Sequence, residues 1–155
     1  WRAREGGSLS LLLVDADYFK PLNDALGHLH GDECLRRLAR ICSEFAEGDA
    51  DLIARFGGEE LALLLPGRSP QQAAALAERL RRRVEEAAMA HPASIVAPWM
   101  TVSIGVCTML PDHAARSPAR LLDGADRALY AAKMRGRNRV ATWDLAANAA
   151  EETIA

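Results

Sequence analysis

Arg55-Phe56-Gly57-Gly58-Glu59-Glu60-Leu61 sets two glycines and two acids between the apolar runs Asp51 to Phe56 and Leu61 to Leu65. Two such runs joined by a glycine pair read as a β-hairpin. Glycine reaches positive φ without steric cost and lets backbone come close to a bulky ligand, so Gly57-Gly58 suits a phosphate as well as a turn. Side chains alternate across a strand. With Glu59 turned toward a ligand, Glu60 is expected to turn away, unless the turn twists both outward. A polar hairpin with no ligand is the plain alternative.

Toward the N-terminus, Leu9 to Val14 is an apolar run interrupted only by Ser10, as in a strand buried on both faces, and it ends in Asp15-Ala16-Asp17. Asp15 and Asp17 are expected to share a strand face. A carboxylate at the end of a buried strand is costly to desolvate unless a cation or hydrogen-bond donors compensate it. Mg²⁺ takes one or two carboxylates and completes its octahedron with water and substrate phosphates, a specification that Asp15 and Glu59 fit. The alternative is that Asp15 and Asp17 only cap the turn toward Lys20-Pro21.

Toward the C-terminus the periodicity is helical. Gly31-Asp32 is expected to open a helix with Leu35, Leu38, Ala39, Cys42, Phe45 and Ala46 on one face, ending near Gly48. Ser69-Pro70 starts another, with Ala73, Leu76, Ala77, Leu80, Val84 and Ala87 inward and the Arg81 to Arg83 run on a solvated face. Met100 to Met109 reads as a strand, Ser117-Pro118 begins a helix stopped by Gly136, and Asn138 to Trp143 is a last strand at an edge. The order is β-α-β-β-α-β followed by a helix and an edge strand. That predicts an α+β fold, ferredoxin-like with additions. Lys133 and Arg137, four apart around the glycine stop, can project from one side and grip a polyphosphate. The Lys133 to Arg139 cluster reads equally as a helix end satisfying its dipole or an RNA-contacting patch.

Of 155 residues, half are apolar and 26% charged, with a net charge of −2. This is one domain with a core, not a disordered chain, and the balance argues against nucleic acid as a partner. Cys34, Cys42 and Cys107 lack the spacing of a metal site or disulfide framework and read as core residues of a reducing, cytoplasmic compartment. No run approaches the ~20 apolar residues of a membrane span, so no membrane contact is expected, and the Trp1 to Glu5 start is no signal peptide. Trp1 to Gly7 looks like the tail of a helix and a turn, as though upstream sequence had been cut away.

Together these residues carry a resemblance. Val14-Asp15-Ala16-Asp17-Tyr18-Phe19-Lys20, Asn23-Asp24 with Gly27-His28 and Gly31-Asp32, Ala54 to Glu60, Thr101 to Val106, and Ala125 to Tyr130 through Lys133 and Gly136-Arg137-Asn138 follow one another in the order found in GGDEF domains. The chain resembles these diguanylate cyclases of bacterial signalling along nearly its whole length, 1–155, as a GGEEL variant. The resemblance implies a nucleotidyl-cyclase palm with a central, mainly antiparallel sheet flanked by helices. It implies condensation of two GTP into cyclic di-GMP with release of pyrophosphate, dependent on Mg²⁺ or Mn²⁺. One domain holds one GTP, so a second GGDEF domain must face it in a homodimer.

By the same resemblance Asp15, the Ala16 carbonyl and Glu59 hold metal, and Asp15, Glu59 and Glu60 form the catalytic set. Glu60 either assists deprotonation of the 3′-hydroxyl, orients it, or binds metal. Phe19, Lys20, Gly57, Gly58, Lys133 and Arg137 surround the triphosphate, and Asn23 and Asp32 read the base. Guanine offers adjacent N1–H and 2-amino donors to a carboxylate, whereas adenine presents a lone pair at N1. Asp32 therefore favours GTP over ATP, or serves only as the helix N-cap after Gly31. Leu61 stands where the family name has Phe and is expected to alter packing alone. The product-binding RxxD site is expected to be absent: the segment is Gly48-Asp49-Ala50-Asp51, with no Arg. The family's opening DxLTGLxNR motif is missing, pointing to a fragment whose upstream sensory domain lies elsewhere. His28 and His30 read as loop residues. A catalytically silent GGDEF domain that binds GTP to regulate a neighbour is the alternative function.

Overall fold

The computed structural model describes residues 7–112 and 117–147. Nine elements follow in order: β1 (Leu9–Ala16), α1 (Phe19–Leu26), α2 (His28–Glu44), β2 (Leu52–Arg55), β3 (Glu60–Pro66), α3 (Pro70–Glu86), β4 (Val102–Met109), α4 (Pro118–Met134) and β5 (Val140–Trp143). The strands form one sheet in the order β2-β3-β1-β4-β5. The β1–β3, β1–β4 and β2–β3 pairs are antiparallel, and β4–β5 is parallel. This is the expected ferredoxin-like sheet with an added edge strand. The expected helix tail before Gly7 lies outside the described residues.

β1 is buried along its whole length because helices cover both of its faces. Leu12, Val14 and Ala16 point into a core built with α2 and α3, while Leu9, Leu11 and Leu13 pack with Leu121, Ala125 and Leu129 of α4. Each such side chain contributes roughly 1.5–3 kcal/mol when fully buried. Asp15 continues the odd-numbered series and so lies on the α4 face. Gly105 of β4, opposite Leu13, is what lets α4 come close: a Cβ there would run into the backbone of Ala125 and Leu129.

Helix starts follow local chemistry. Ser69 accepts from the Gln72 amide while the Gln72 side chain accepts from the Ser69 amide, and Pro70 occupies the first turn of α3. Ser117 caps α4 by accepting from the Arg120 amide, with Pro118 in the first turn. Two expectations need correction. The segment after β1 is a helix, α1, where a turn was expected. α2 begins at His28 and not at Gly31, because Gly27 at φ 84° caps it; His28 and His30 are therefore helical, and Asp32 lies inside the helix and cannot be its N-cap. The Arg81 to Arg83 run is also not simply solvated. Arg81 holds Glu78, Glu85 and the Asn138 side chain at 2.7–3.0 Å, and Arg83 reaches Glu44 of α2.

Candidate active site

The acidic cluster forms where β1 and β3 end together. Asp15 is directly opposite Glu60 in the antiparallel register, and the Ala16 amide donates to the Glu59 carbonyl at 3.3 Å. Residues opposite one another share a face. Glu60 therefore shares the face of Asp15, and both glutamates, each half-buried, act on the Asp15 carboxyl. Burial pushes the Asp15 carboxyl from an ordinary 3.8 up to about 6; Lys133 draws it back, and Glu59 and Glu60 add repulsion. The Lys133 ammonium is 2.8 Å from Asp15 Oδ2.

The hairpin between β2 and β3 is built differently from the expectation. Neither Gly57 nor Gly58 adopts positive φ. Phe56 and Gly57 both donate to the Glu60 carbonyl, and the Arg55 guanidinium reaches back to the Gly57 and Gly58 carbonyls at 2.6–3.2 Å. What Gly57 supplies is room. A Cβ on Gly57 would stand 2.7 Å from Glu60 Oε2, whereas one on Gly58 would meet nothing within 4 Å.

Asp15 and Asp17 have separate tasks. Asp17 is 1% exposed and accepts from the Thr101 and Ser103 hydroxyls at 2.8 and 2.7 Å and from the Asn138 amide at 3.0 Å. Its carboxylate is saturated by protein donors and ties β1 to β4 and to the loop before β5. Asp15, by contrast, has Lys133 beside it to set against two further carboxylates. Among the described residues no group of three or more His, Cys, Asp or Glu side chains is placed to hold a metal. The oxygen donors of Asp15, Glu59 and the Ala16 carbonyl nonetheless fit Mg²⁺, which needs few protein ligands when phosphates supply the rest, and repulsion within the cluster is what a cation would relieve.

A groove of about 390 Å³ runs between α2 and the hairpin, lined by Asp32, Arg36 and Ala39 on one side and by Arg55, Gly58, Glu59 and Glu60 on the other. Asp32, Glu59 and Glu60 thus share one cleft. Asn23 of α1 packs against Gly31 of α2, where any Cβ would collide with its side chain, and its buried Oδ1 has no hydrogen-bond partner. An unpaired buried carbonyl oxygen is costly and calls for a donor. Phe19 packs its ring against the core, so what it can offer a phosphate is its backbone amide at the start of α1. Lys20 pairs with Asp24 at the surface. Arg137 follows α4 at φ 62°, and its guanidinium lies 4.4 Å over the Tyr18 ring.

Sequence reasoning missed Arg55, Tyr18 and His91, which line or brace this region. Arg55 stood inside the quoted hairpin, and only its reach back over two residues made it structural. His91 carried no local signal. Asp51, expected to mark an incomplete RxxD site, is instead held bidentately by Arg68 at 2.9 Å.

The family model described as "Diguanylate cyclase, GGDEF domain" matches residues 1–139. Diguanylate cyclase A of Treponema denticola is 40% identical over 133 residues, 86% of this chain and 34% of that protein. Diguanylate cyclase DgcM of Escherichia coli is 44% identical over 131 residues, 84% of this chain and 30% of that protein. The chain thus spans about a third of the length of these relatives. Among solved structures, the GGDEF domain of DgcB from Caulobacter crescentus, in complex with c-di-GMP, superposes with a TM-score of 0.77 at 32% identity, over 88% of this chain and 78% of that one. The active GGEEF domain of a diguanylate cyclase from Vibrio cholerae gives 0.76 at 34% identity, over 88% and 83%.

Proposed function

The chain belongs to the GGDEF family, and from that membership we propose that it is a diguanylate cyclase domain, condensing two GTP into cyclic di-GMP as one half of a face-to-face dimer. The observation that carries this reading is the groove of about 390 Å³ shared by Asp32, Glu59 and Glu60, with Asp15 directly opposite Glu60 in the sheet register. A shared groove supports the reading of Asp32 as base reader and of Glu59 and Glu60 as phosphate-handling acids.

In this reading Asp32 accepts from guanine N1–H and the 2-amino group, and the unpaired Asn23 Oδ1 takes a further donor from the base. Gly57 and Gly58 leave the hairpin backbone open to the triphosphate, while Phe19 and Lys20, at the start of α1, and Lys133 and Arg137, at the end of α4, surround it with donors. Asp15, the Ala16 carbonyl and Glu59 would hold Mg²⁺ or Mn²⁺, which when bound supplies phosphate polarisation and charge neutralisation. Glu60 receives the proton of the attacking 3′-hydroxyl. Each 3′-oxygen forms a bond to the α-phosphorus of the partner's nucleotide as the bond to the β,γ-diphosphate breaks, so two pyrophosphates leave per ring closed. Lys133, released from Asp15, neutralises charge on the phosphates. An upstream sensory domain would control how two such domains meet, and the domain works in the cytoplasm.

The test is to fuse the domain to a strong dimeriser, incubate it with GTP and Mg²⁺, and measure cyclic dinucleotide and pyrophosphate. Product from the parent and at least a hundredfold less from Glu59→Gln is expected; equal turnover by Glu59→Gln overturns the ligand role. The second reading, a catalytically silent GTP-binding module, draws on the 2.8 Å hold of Lys133 on Asp15. It requires GTP to bind with no product formed.

A further inference from the structure

We propose that Tyr18 is the positioning residue for the triphosphate, its ring and hydroxyl fixing the Arg137 guanidinium in the orientation that receives phosphate. This rests on the reading of Arg137 as a phosphate ligand. Arginine is long and loses many rotamers when it binds, so a guanidinium held in place beforehand binds a planar pair of phosphate oxygens at lower entropic cost. Tyr18 supplies two restraints at once. The guanidinium lies over its ring at 4.4 Å, and Arg137 Nη1 donates to its hydroxyl at 3.2 Å. Stacking sets the plane, the hydrogen bond sets the rotation within it, and the opposite edge makes no hydrogen bond among the described residues.

The seat itself is held from behind. Tyr18 adopts φ 54°, a left-handed conformation that a bulky residue keeps only when its surroundings impose it. His91, fully buried in the connection between α3 and β4, places Nε2 at 2.9 Å from the Tyr18 carbonyl. A carbonyl can only accept, so Nε2 carries the proton. On the other side Arg137 and Asn138 are also left-handed, at 62° and 45°. Asn138 is clamped through its amide to Asp17, through Oδ1 to Arg81 and through Nδ2 to Glu85. Three left-handed residues, two of them bulky, therefore meet where one aromatic ring faces one guanidinium. A purely structural tyrosine needs no cation above it.

The experiment is a double-mutant cycle on the full chain, with Tyr18→Leu, Arg137→Gln and the pair, titrated with α,β-methylene GTP and, separately, with guanosine in Mg²⁺. Tyr18→Leu is expected to weaken the triphosphate analogue about five- to tenfold, in line with a partly buried cation–π pair, and guanosine less than twofold. On the Arg137→Gln background it should do nothing more, and Tyr18→Phe, which keeps the ring, should recover most of the affinity. Tyr18→Asn, a ringless residue at ease in the left-handed region, gives the same comparison if the leucine variant does not fold. Equal losses for guanosine and the analogue, or additive losses in the double variant, overturn the inference and leave the cyclase reading intact. An unaltered chain that binds neither ligand overturns both.

Discussion

Asp15 is the residue whose chemistry the fold has changed most. Its carboxyl titrates near 6 in the folded protein against 3.8 in an open chain, chiefly because it is buried. The folded state thus binds the proton more tightly than the unfolded state does. Stability is fully present below about 3.8 and is lost as pH rises through 6. In chelator, Asp15→Asn is expected to match the parent at pH 4 and to exceed it by about 1–3 kcal/mol at pH 8 in urea denaturation, since each tenfold difference in proton affinity between the two states is worth about 1.4 kcal/mol. Added Mg²⁺ should then stabilise the parent and leave the variant unmoved; a variant less stable than the parent at pH 8 would show that Lys133 already compensates the charge. Asp32 gives a second prediction. Its replacement by Ala should cut affinity for GTP about tenfold or more while ATP changes little, as a charged hydrogen bond is worth roughly 1.5–3 kcal/mol, and competition binding of the two nucleotides reads the ratio. Asp15 was legible in the sequence because a carboxylate ends an apolar strand. The role of Asp17 was not, because its partners Thr101, Ser103 and Asn138 lie 84, 86 and 121 residues away.

The elements announced themselves unevenly, and the physical reason lies in their ends. α3 and α4 carry a serine cap followed by proline and a clean apolar face, so their starts were read correctly to the residue. α1 carries neither; it has eight residues, a left-handed Tyr18 before it, no side-chain cap and Pro21 inside its first turn, and it persists through Leu22 in the core and packing against α2. Tertiary contact, which no local pattern records, makes it helical. The glycines were likewise only half legible. Gly57 serves by lacking a side chain, and neither it nor Gly58 turns left-handed, while Gly105 hides a close approach of helix to sheet. Gly105→Ala pushes a methyl into the backbone of α4, which cannot yield as a side chain would. A loss of at least about 3 kcal/mol is expected by thermal or urea denaturation, with α4 and its Lys133 displaced. Gly58→Ala, facing open space, should cost well under 1 kcal/mol by the same measurement.

At the scale of the whole molecule the single groove becomes a constraint on kinetics. A cyclic dinucleotide contains two nucleotides and two new 3′–5′ links, whereas one chain offers one Asp32, one acidic cluster and one groove between α2 and the hairpin. Under the proposed cyclase function, each 3′-hydroxyl would therefore meet a phosphate carried by another copy. The ferredoxin-like class of the sheet could be read from sequence because the order of its elements rests on local periodicity. What brings two copies together could not, since a groove's partner leaves no periodic trace in the chain that bears it. Under the proposed cyclase function, product formation by the isolated chain should rise with the square of protein concentration while dimer is scarce and become linear once dimer saturates. A fused dimeriser should abolish the quadratic regime without changing the saturated rate. Mixing Glu59→Gln with parent chains sharpens the test: if both half-sites are needed, a one-to-one mixture of freely exchanging chains retains about a quarter of the activity. Retention of half would mean that a single intact groove completes the reaction alone.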